Sequence, residues 1–130
     1  MGVPGAKKGD RVVGVDTHIV MIPSPAGPVP TPMPMPFMGQ LDDALCNAVC
    51  IDDQAAAVEG SKASNSPQHI PAGGPFQAPP SNKATVQQGS STVFFENKAA
   101  ARMGDPAMTC NDPSDAPNGT VIAAGTVFVG

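Results

Sequence analysis

The stretch STVFFENKAAARMGD, residues 91–105, decides the fold of this chain. Its first half, Val93-Phe94-Phe95, has the β-branched and aromatic chemistry of a strand. Glu96-Asn97 then reads as a turn, and Gly104-Asp105 as a corner. Taken alone, Ala99, Ala100 and Ala101 suit the first turn of a helix. The turn before them and the glycine after them leave too little room for one, because helices shorter than about 12 residues are marginal in water. Small residues in a second strand suit a place where backbones crowd together. The stretch therefore reads as strand, turn, strand and corner.

The same pattern recurs along the chain. When residue 91 is laid over residue 47, an offset of 44, the stretch covers NAVCIDDQAAAVEGS, residues 47–61. Val93 then meets Val49, Ala99 to Ala101 meet Ala55 to Ala57, and Gly104 meets Gly60. Asn97 meets Asp53, and both residue types suit tight turns. The N-terminal GAKKGD, residues 5–10, matches the end of this unit, with Gly9-Asp10 standing for Gly104-Asp105. The C-terminal GTVFVG, residues 125–130, matches its beginning. Three units result, the third divided between the two ends of the chain.

The residues beyond each glycine corner carry the chemistry. His18 stands nine residues after Gly9, His69 nine after Gly60, and Cys110 six after Gly104. These are both histidines of the chain and one of its three cysteines. Three pseudo-equivalent units around a three-fold axis would bring these donors together on that axis. Imidazole nitrogen and thiolate sulfur are the ligands zinc takes in tetrahedral sites. Iron is the next candidate by ligand type. A lone histidine is usually a hydrogen-bonded or surface group, and a lone cysteine usually packs. The shared offset of the only two histidines argues for a metal centre instead.

Composition fits a small β domain, expected to span residues 1–130. A chain of 130 residues can bury roughly two-thirds of its unfolded surface. The 16 prolines and 14 glycines favour loops or disorder. Against disorder, 41% of residues are hydrophobic and only 14% charged. The reading is an ordered, mainly β fold rich in Pro/Gly loops. Its 7 basic residues are scattered in a chain of net charge −4, which excludes a nucleic-acid partner. No apolar leader opens the chain, and no run approaches the ~18 apolar residues of a membrane span. Unpaired, reduced thiols in the cytosol are expected.

The segment IPSPAGPVPTPMPMPF, residues 22–37, has proline at nearly every second position, which excludes helix and enforces extended backbone. Its Val29, Met33, Met35 and Phe37 are too apolar for a linker, so a loop packed against the side of the domain is expected. QHIPAGGPFQAPPSNKA, residues 68–84, is its counterpart in the second unit.

AAARMGD, STVFFENK, GTVFVG and the Gly-Asp–His, Gly–His and Gly-Asp–Cys series resemble the PAAR-repeat proteins. The insertion VGVDTHIVMIPSPAGPVPTPMPMPF, residues 13–37, resembles that of PAAR-like members with a proline-rich segment. The resemblance implies a small conical β-fold with pseudo-three-fold repeats and a zinc site near its apex. It implies a structural role without catalytic residues, capping the trimeric β-helical, VgrG-like spike of a type VI secretion system or related contractile injection system. One cone would sit on each trimer, and its point would meet the target membrane transiently. Assembly in the bacterial cytoplasm and ejection with the spike are implied by the same resemblance. No fused effector is expected, so any cargo would bind non-covalently.

The usual site of that family has three histidines and one cysteine. His18, His69 and Cys110 match ligand positions, and the fourth stays open among Met35, Asp112, Cys46, Cys50 and water. Cys46 and Cys50 have C-x-x-x-C spacing, but Cys50 falls where Phe94 falls in the next unit, so packing is expected there. Two other functions compete with the spike tip. One is an enzyme, either a cysteine nucleophile pairing Cys110 with His69 or a small zinc-binding hydrolase with an open ligand position. The other is a stand-alone metal-binding adaptor. Catalysis lacks support from an HExxH motif, paired carboxylates or a phosphate-binding glycine loop.

Overall fold

A computed structural model describes residues 2–130; Met1, counted in the expected 1–130 domain, lies outside them. The described residues form strands and no helix: β1 (Val3–Pro4), β2 (Arg11–Ile22), β3 (Val29–Asp43), β4 (Cys46–Ile51), β5 (Gln54–Ala56), β6 (Lys62–Asn65), β7 (Lys83–Val86), β8 (Phe94–Phe95), β9 (Lys98–Ala99), β10 (Pro106–Thr109), β11 (Ala116–Ile122) and β12 (Phe128–Val129). The chain is mainly β, as the strand-turn-strand units predict.

Three short antiparallel pairs, β4–β5, β8–β9 and β12–β1, correspond to the three units. Cys50 faces Ala55, Phe94 faces Ala99 and Phe128 faces Pro4, so the third pair is assembled from the two ends of the chain. Asp52-Asp53 and Glu96-Asn97 all take positive φ, between 49° and 68°. Two successive left-handed residues match the twist of a tight hairpin, and Asp and Asn tolerate that conformation best.

Just past these pairs the units close on one another. Ala6 N–H donates to Ala101 O at 2.9 Å, Ala101 N–H to Ala57 O at 3.0 Å, and Ala57 N–H to Ala6 O at 3.0 Å. This closed ring of backbone bonds marks a pseudo-three-fold axis. All three alanines are fully buried, so the crowding predicted for Ala99 to Ala101 is realised at Ala101 and its two equivalents.

The corners repeat to the level of single hydrogen bonds. Gly9, Gly60 and Gly104 have φ of 93°, 93° and 90°, which side chains rarely adopt. Their N–H groups donate to Leu41, Val86 and Val121. The carbonyls of Asp10, Ser61 and Asp105 accept from those same three residues. Side chains of Asp10, Ser61 and Asp105 in turn cap the N–H of Lys7, Val58 and Arg102 at 3.0, 2.9 and 2.8 Å.

From each corner the chain enters a longer hairpin, and β10-β11-β2-β3-β6-β7 close into a barrel. Val12, Leu41, Val86 and Val121 fill it, with Ala63 and Ala107 at the positions equivalent to Val12. Burying each of the larger side chains contributes about 1.5–3 kcal/mol. The β2–β3 hairpin runs far beyond the others, with paired residues from Arg11↔Gln40 to Ile22↔Val29.

The proline-rich segment is therefore not the loop that its composition predicts; most of it is strand β3. The reason is phase. Pro30, Pro32, Pro34 and Pro36 oppose Met21, Ile19, Thr17 and Val15, while Thr31, Met33, Met35 and Phe37 oppose the intervening residues of β2. Every proline thus stands where a backbone N–H would point away from β2, and none removes a ladder bond. The prolines at 30, 32, 34 and 36 are exposed, whereas Met35 and Phe37 between them are buried. Residues 66–82, between β6 and β7, occupy the counterpart position in the second unit but form only one bridge, Phe76 to Val20.

Candidate metal centre

Alternation along β2 places Asp16 and His18 on one face, both pointing inward. His69 comes from the connection that follows β6, and Cys110 stands directly after β10. Asp16, His18 and Cys110 are at most 2% exposed. One ligand atom from each of the four residues lies within 4.8 Å of the others. Asp16 Oδ2 is 3.0 Å from His69 Nε2, 3.3 Å from Cys110 Sγ and 3.9 Å from His18 Nε2. Cys110 Sγ is 3.7 Å from His18 Nε2. A tetrahedron with metal–ligand bonds of about 2.0–2.3 Å has edges of about 3.3–3.8 Å. The four donor distances, 3.0 to 3.9 Å, bracket those edges, and all donors lie within 4.8 Å of one another, so a tetrahedral site needs only small adjustments.

Three of the four donors are held from behind by hydrogen bonds. The Thr109 hydroxyl donates to Asp16 Oδ1. His69 N–H donates to Asn82 Oδ1 at 2.8 Å, and the Asn65 amide nitrogen bridges Asn82 Oδ1 and His69 Nδ1 at 3.2 and 3.3 Å. Cys110 N–H donates to Lys83 O at 3.1 Å. Beyond Cys110, Asn111 and Asp112 zip onto the free edge of β2. Thr17 N–H donates to Asn111 Oδ1 at 2.7 Å, and Asp112 N–H to Thr17 O at 2.8 Å. Ile19 N–H donates to Asp112 Oδ2 at 2.8 Å. Aromatic rings line the histidines, with Phe76 edge-on to His18 and Phe37 to His69.

The electrostatics of the group suit a cation. Asp16 is wholly buried, and among the described residues its ionisable partners of opposite sign are only His18 and His69. Taking a carboxylate out of water is costly unless a positive charge meets it. Burial pushes the Cys110 thiol up to about 12, with the Asp16 charge and its hydrogen bond adding to the rise. A thiol so disposed stays protonated at neutral pH unless a metal takes its place beside the carboxylate. The four residues form a buried group that fits a metal ion by spacing and by donor type.

The PAAR motif family model matches residues 21–113, well over half of the chain. The chain belongs to the PAAR-motif family. No curated protein matches it at a significant level. PAAR-motif proteins share a small conical β-fold and are structural spike-tip components of type VI-like secretion machines, where they bind VgrG-type spikes. The matched span includes His69 and Cys110 but begins after Asp16 and His18.

This PAAR-motif chain brings His18, His69 and Cys110 together, as the offsets after the glycine corners predict. The fourth donor in the group is Asp16, which sequence reasoning missed. A signal existed: Asp16-Thr17-His18 on a strand puts the two outer side chains on one face. Of the residues weighed for the open position, Asp112, Cys46 and Cys50 do not join the group. Asp112 stands on the other ring nitrogen of His18, with Oδ2 3.5 Å from Nδ1. Met35 opposes Asp16 in the strand register and lines an apolar cavity of about 350 Å³ beside His69. Cys46 and Cys50 belong to the β4–β5 pair, where Cys46 Sγ faces Glu96 at 3.6 Å and Cys50 is exposed rather than packed. Among the described residues, no helix is long and apolar enough to cross a membrane.

Proposed function

We propose that this chain is the tip of a contractile injection spike. It caps the blunt end of a trimeric, VgrG-like β-helical spike, one cone per trimer, and sharpens it for puncture of a target membrane. The observation that carries this reading is the ring of Ala6, Ala57 and Ala101, which gives one chain the three-fold character of a trimer end. Around that axis, Phe94 and Phe128 occupy equivalent positions in their strand pairs and are 56% and 63% exposed. Large apolar groups in a chain with little charge suit burial against another protein. A cap also covers strand ends of the spike that would otherwise pair promiscuously.

Asp16, His18, His69 and Cys110 would hold the metal, and zinc suits this donor set better than iron. Bound there, the ion supplies a cross-link among β2, the connection after β6 and the end of β10, with no role in turnover. The raised thiol of Cys110 supports a structural site over a nucleophile, which needs a depressed value. The reading places assembly of residues 1–130, a single PAAR-like domain, in the bacterial cytoplasm, with later ejection alongside the spike.

Mixing the purified protein with a trimeric spike and weighing the complex tests the cap. One chain per trimer is expected; failure to bind across candidate spikes would sink the proposal. Metal analysis of the same preparation is expected to give about one equivalent of zinc.

A further inference from the structure

His18 uses its two ring nitrogens differently. Nε2 faces the cluster, 3.7 Å from Cys110 Sγ. Nδ1 points the other way, is sealed from solvent and closes no hydrogen bond. The carboxylate oxygen that faces it is Asp112 Oδ2, at 3.5 Å. Asp112 is fixed in place from two directions. Its Oδ2 accepts Ile19 N–H at 2.8 Å, and its own N–H donates to Thr17 O at 2.8 Å. These two bonds straddle His18 on β2.

We infer that Asp112 is a positioning residue of the metal centre: its Oδ2 accepts a hydrogen bond from the Nδ1–H of His18 and so holds Nε2 toward Asp16 and Cys110. The inference rests on the metal reading above. A neutral imidazole that ligates through Nε2 carries its proton on Nδ1, and a buried N–H without an acceptor is costly. A shift of roughly 0.7 Å would bring the pair to the ~2.8 Å of a charge-assisted bond. No such carboxylate stands behind the second histidine, whose Nδ1 accepts from the Asn65 amide nitrogen at 3.3 Å. The two imidazoles are therefore held by different means, and His18 depends on a residue outside the group of four donors.

The test measures zinc affinity by competition with a chromophoric chelator and the His18 ring protons by NMR of the zinc-loaded protein. Asp112→Ala is expected to weaken zinc 10–100-fold and to remove the downfield Nδ1 proton resonance of His18. Asp112→Asn keeps an oxygen for Ile19 N–H, so it is expected to fold, to bind zinc several-fold more weakly and to move that resonance upfield. Asn111→Ala breaks the Thr17 bond of the same loop without touching His18 and is expected to leave the resonance in place. Unchanged affinity and resonance in Asp112→Asn overturn the inference. So does an Asn111→Ala variant as impaired as Asp112→Ala, because pinning of the loop would then explain both. Absence of zinc binding by the unmodified protein is a different result, and it overturns the metal reading itself.

Discussion

Asp16 Oδ2 lies 3.0 Å from His69 Nε2, although 53 positions separate the two residues. The same oxygen is the one nearest Cys110 Sγ, so a single buried carboxylate ties the first unit to the second and third. In the proposed site, the position left open beside His18, His69 and Cys110 is taken by this acid. An oxygen donor from a carboxylate brings a negative charge that a histidine would not.

That charge makes Asp16 as necessary as the residues read from the sequence. Replacing Asp16, His18 or His69 by Ala, or Cys110 by Ser, is expected to cut zinc affinity by more than the 10–100-fold typical of losing an outer partner. Metal content after gel filtration checks this. Full zinc retention in Asp16→Ala would restore the open fourth position.

Removal of the proposed metal and a rise in pH are both expected to act through Cys110. The ordinary thiol value is 9.0, and the folded, metal-free protein holds Cys110 near 12. Below 9 both folded and unfolded chains keep the proton, and stability does not depend on this group. As pH rises from 9 toward 12, the unfolded chain releases the proton and the folded chain keeps it, so stability falls. Urea midpoints of chelator-treated protein should drop over that window, and Cys110→Ser should abolish the drop. At neutral pH, zinc loading should release about one thiol proton per ion, measurable in weak buffer.

The alanine ring tolerates no enlargement. Ala57 has no exposed surface and sits between two other alanine backbones. Ala57→Val is expected to cost about 1–3 kcal/mol in chemical denaturation, as overpacking does elsewhere. An unchanged midpoint would mean that the axis is looser than its hydrogen bonds indicate.

The outer edge of β3 is closed to other strands by its prolines. Pro32 and Pro34 remove donors that an approaching strand would need. The double variant Pro32→Thr, Pro34→Thr keeps the ladder to β2 and restores two outward N–H groups. It should self-associate with rising concentration in sedimentation experiments, where the unmodified protein stays monodisperse.

The exposed aromatic pair gives a surface test. Phe94→Asp with Phe128→Asp should leave thermal stability nearly unchanged, since both side chains are more than half exposed. Binding to the trimeric spike should be lost in the same variant. Retained binding would move the interface elsewhere.

Local chemistry makes much of the fold legible in the sequence. Asp52-Asp53 and Glu96-Asn97 announce their turns, the glycines at 9, 60 and 104 announce their corners, and the alanine runs announce the crowded axis. The offsets of His18 and His69 are counted from those corners. The features that stay hidden depend on phase and on distance. Proline content suggests a loop, and only the register against β2 shows that each proline falls on the side without a ladder bond. Asp16 is one of 11 acidic residues, and only its place two residues before His18 on a strand sets it apart from Asp112.

The three units agree closely at the corners and part company beyond them, where one hairpin pairs over twelve residues and the others over three or four. A strictly three-fold partner cannot tell the units apart at the axis, and it offers this chain three equivalent seats. That degeneracy favours docking by RT ln 3, about 0.65 kcal/mol. It also means that particles averaged with imposed three-fold symmetry should keep the alanine ring sharp while smearing the β2–β3 arm over three directions.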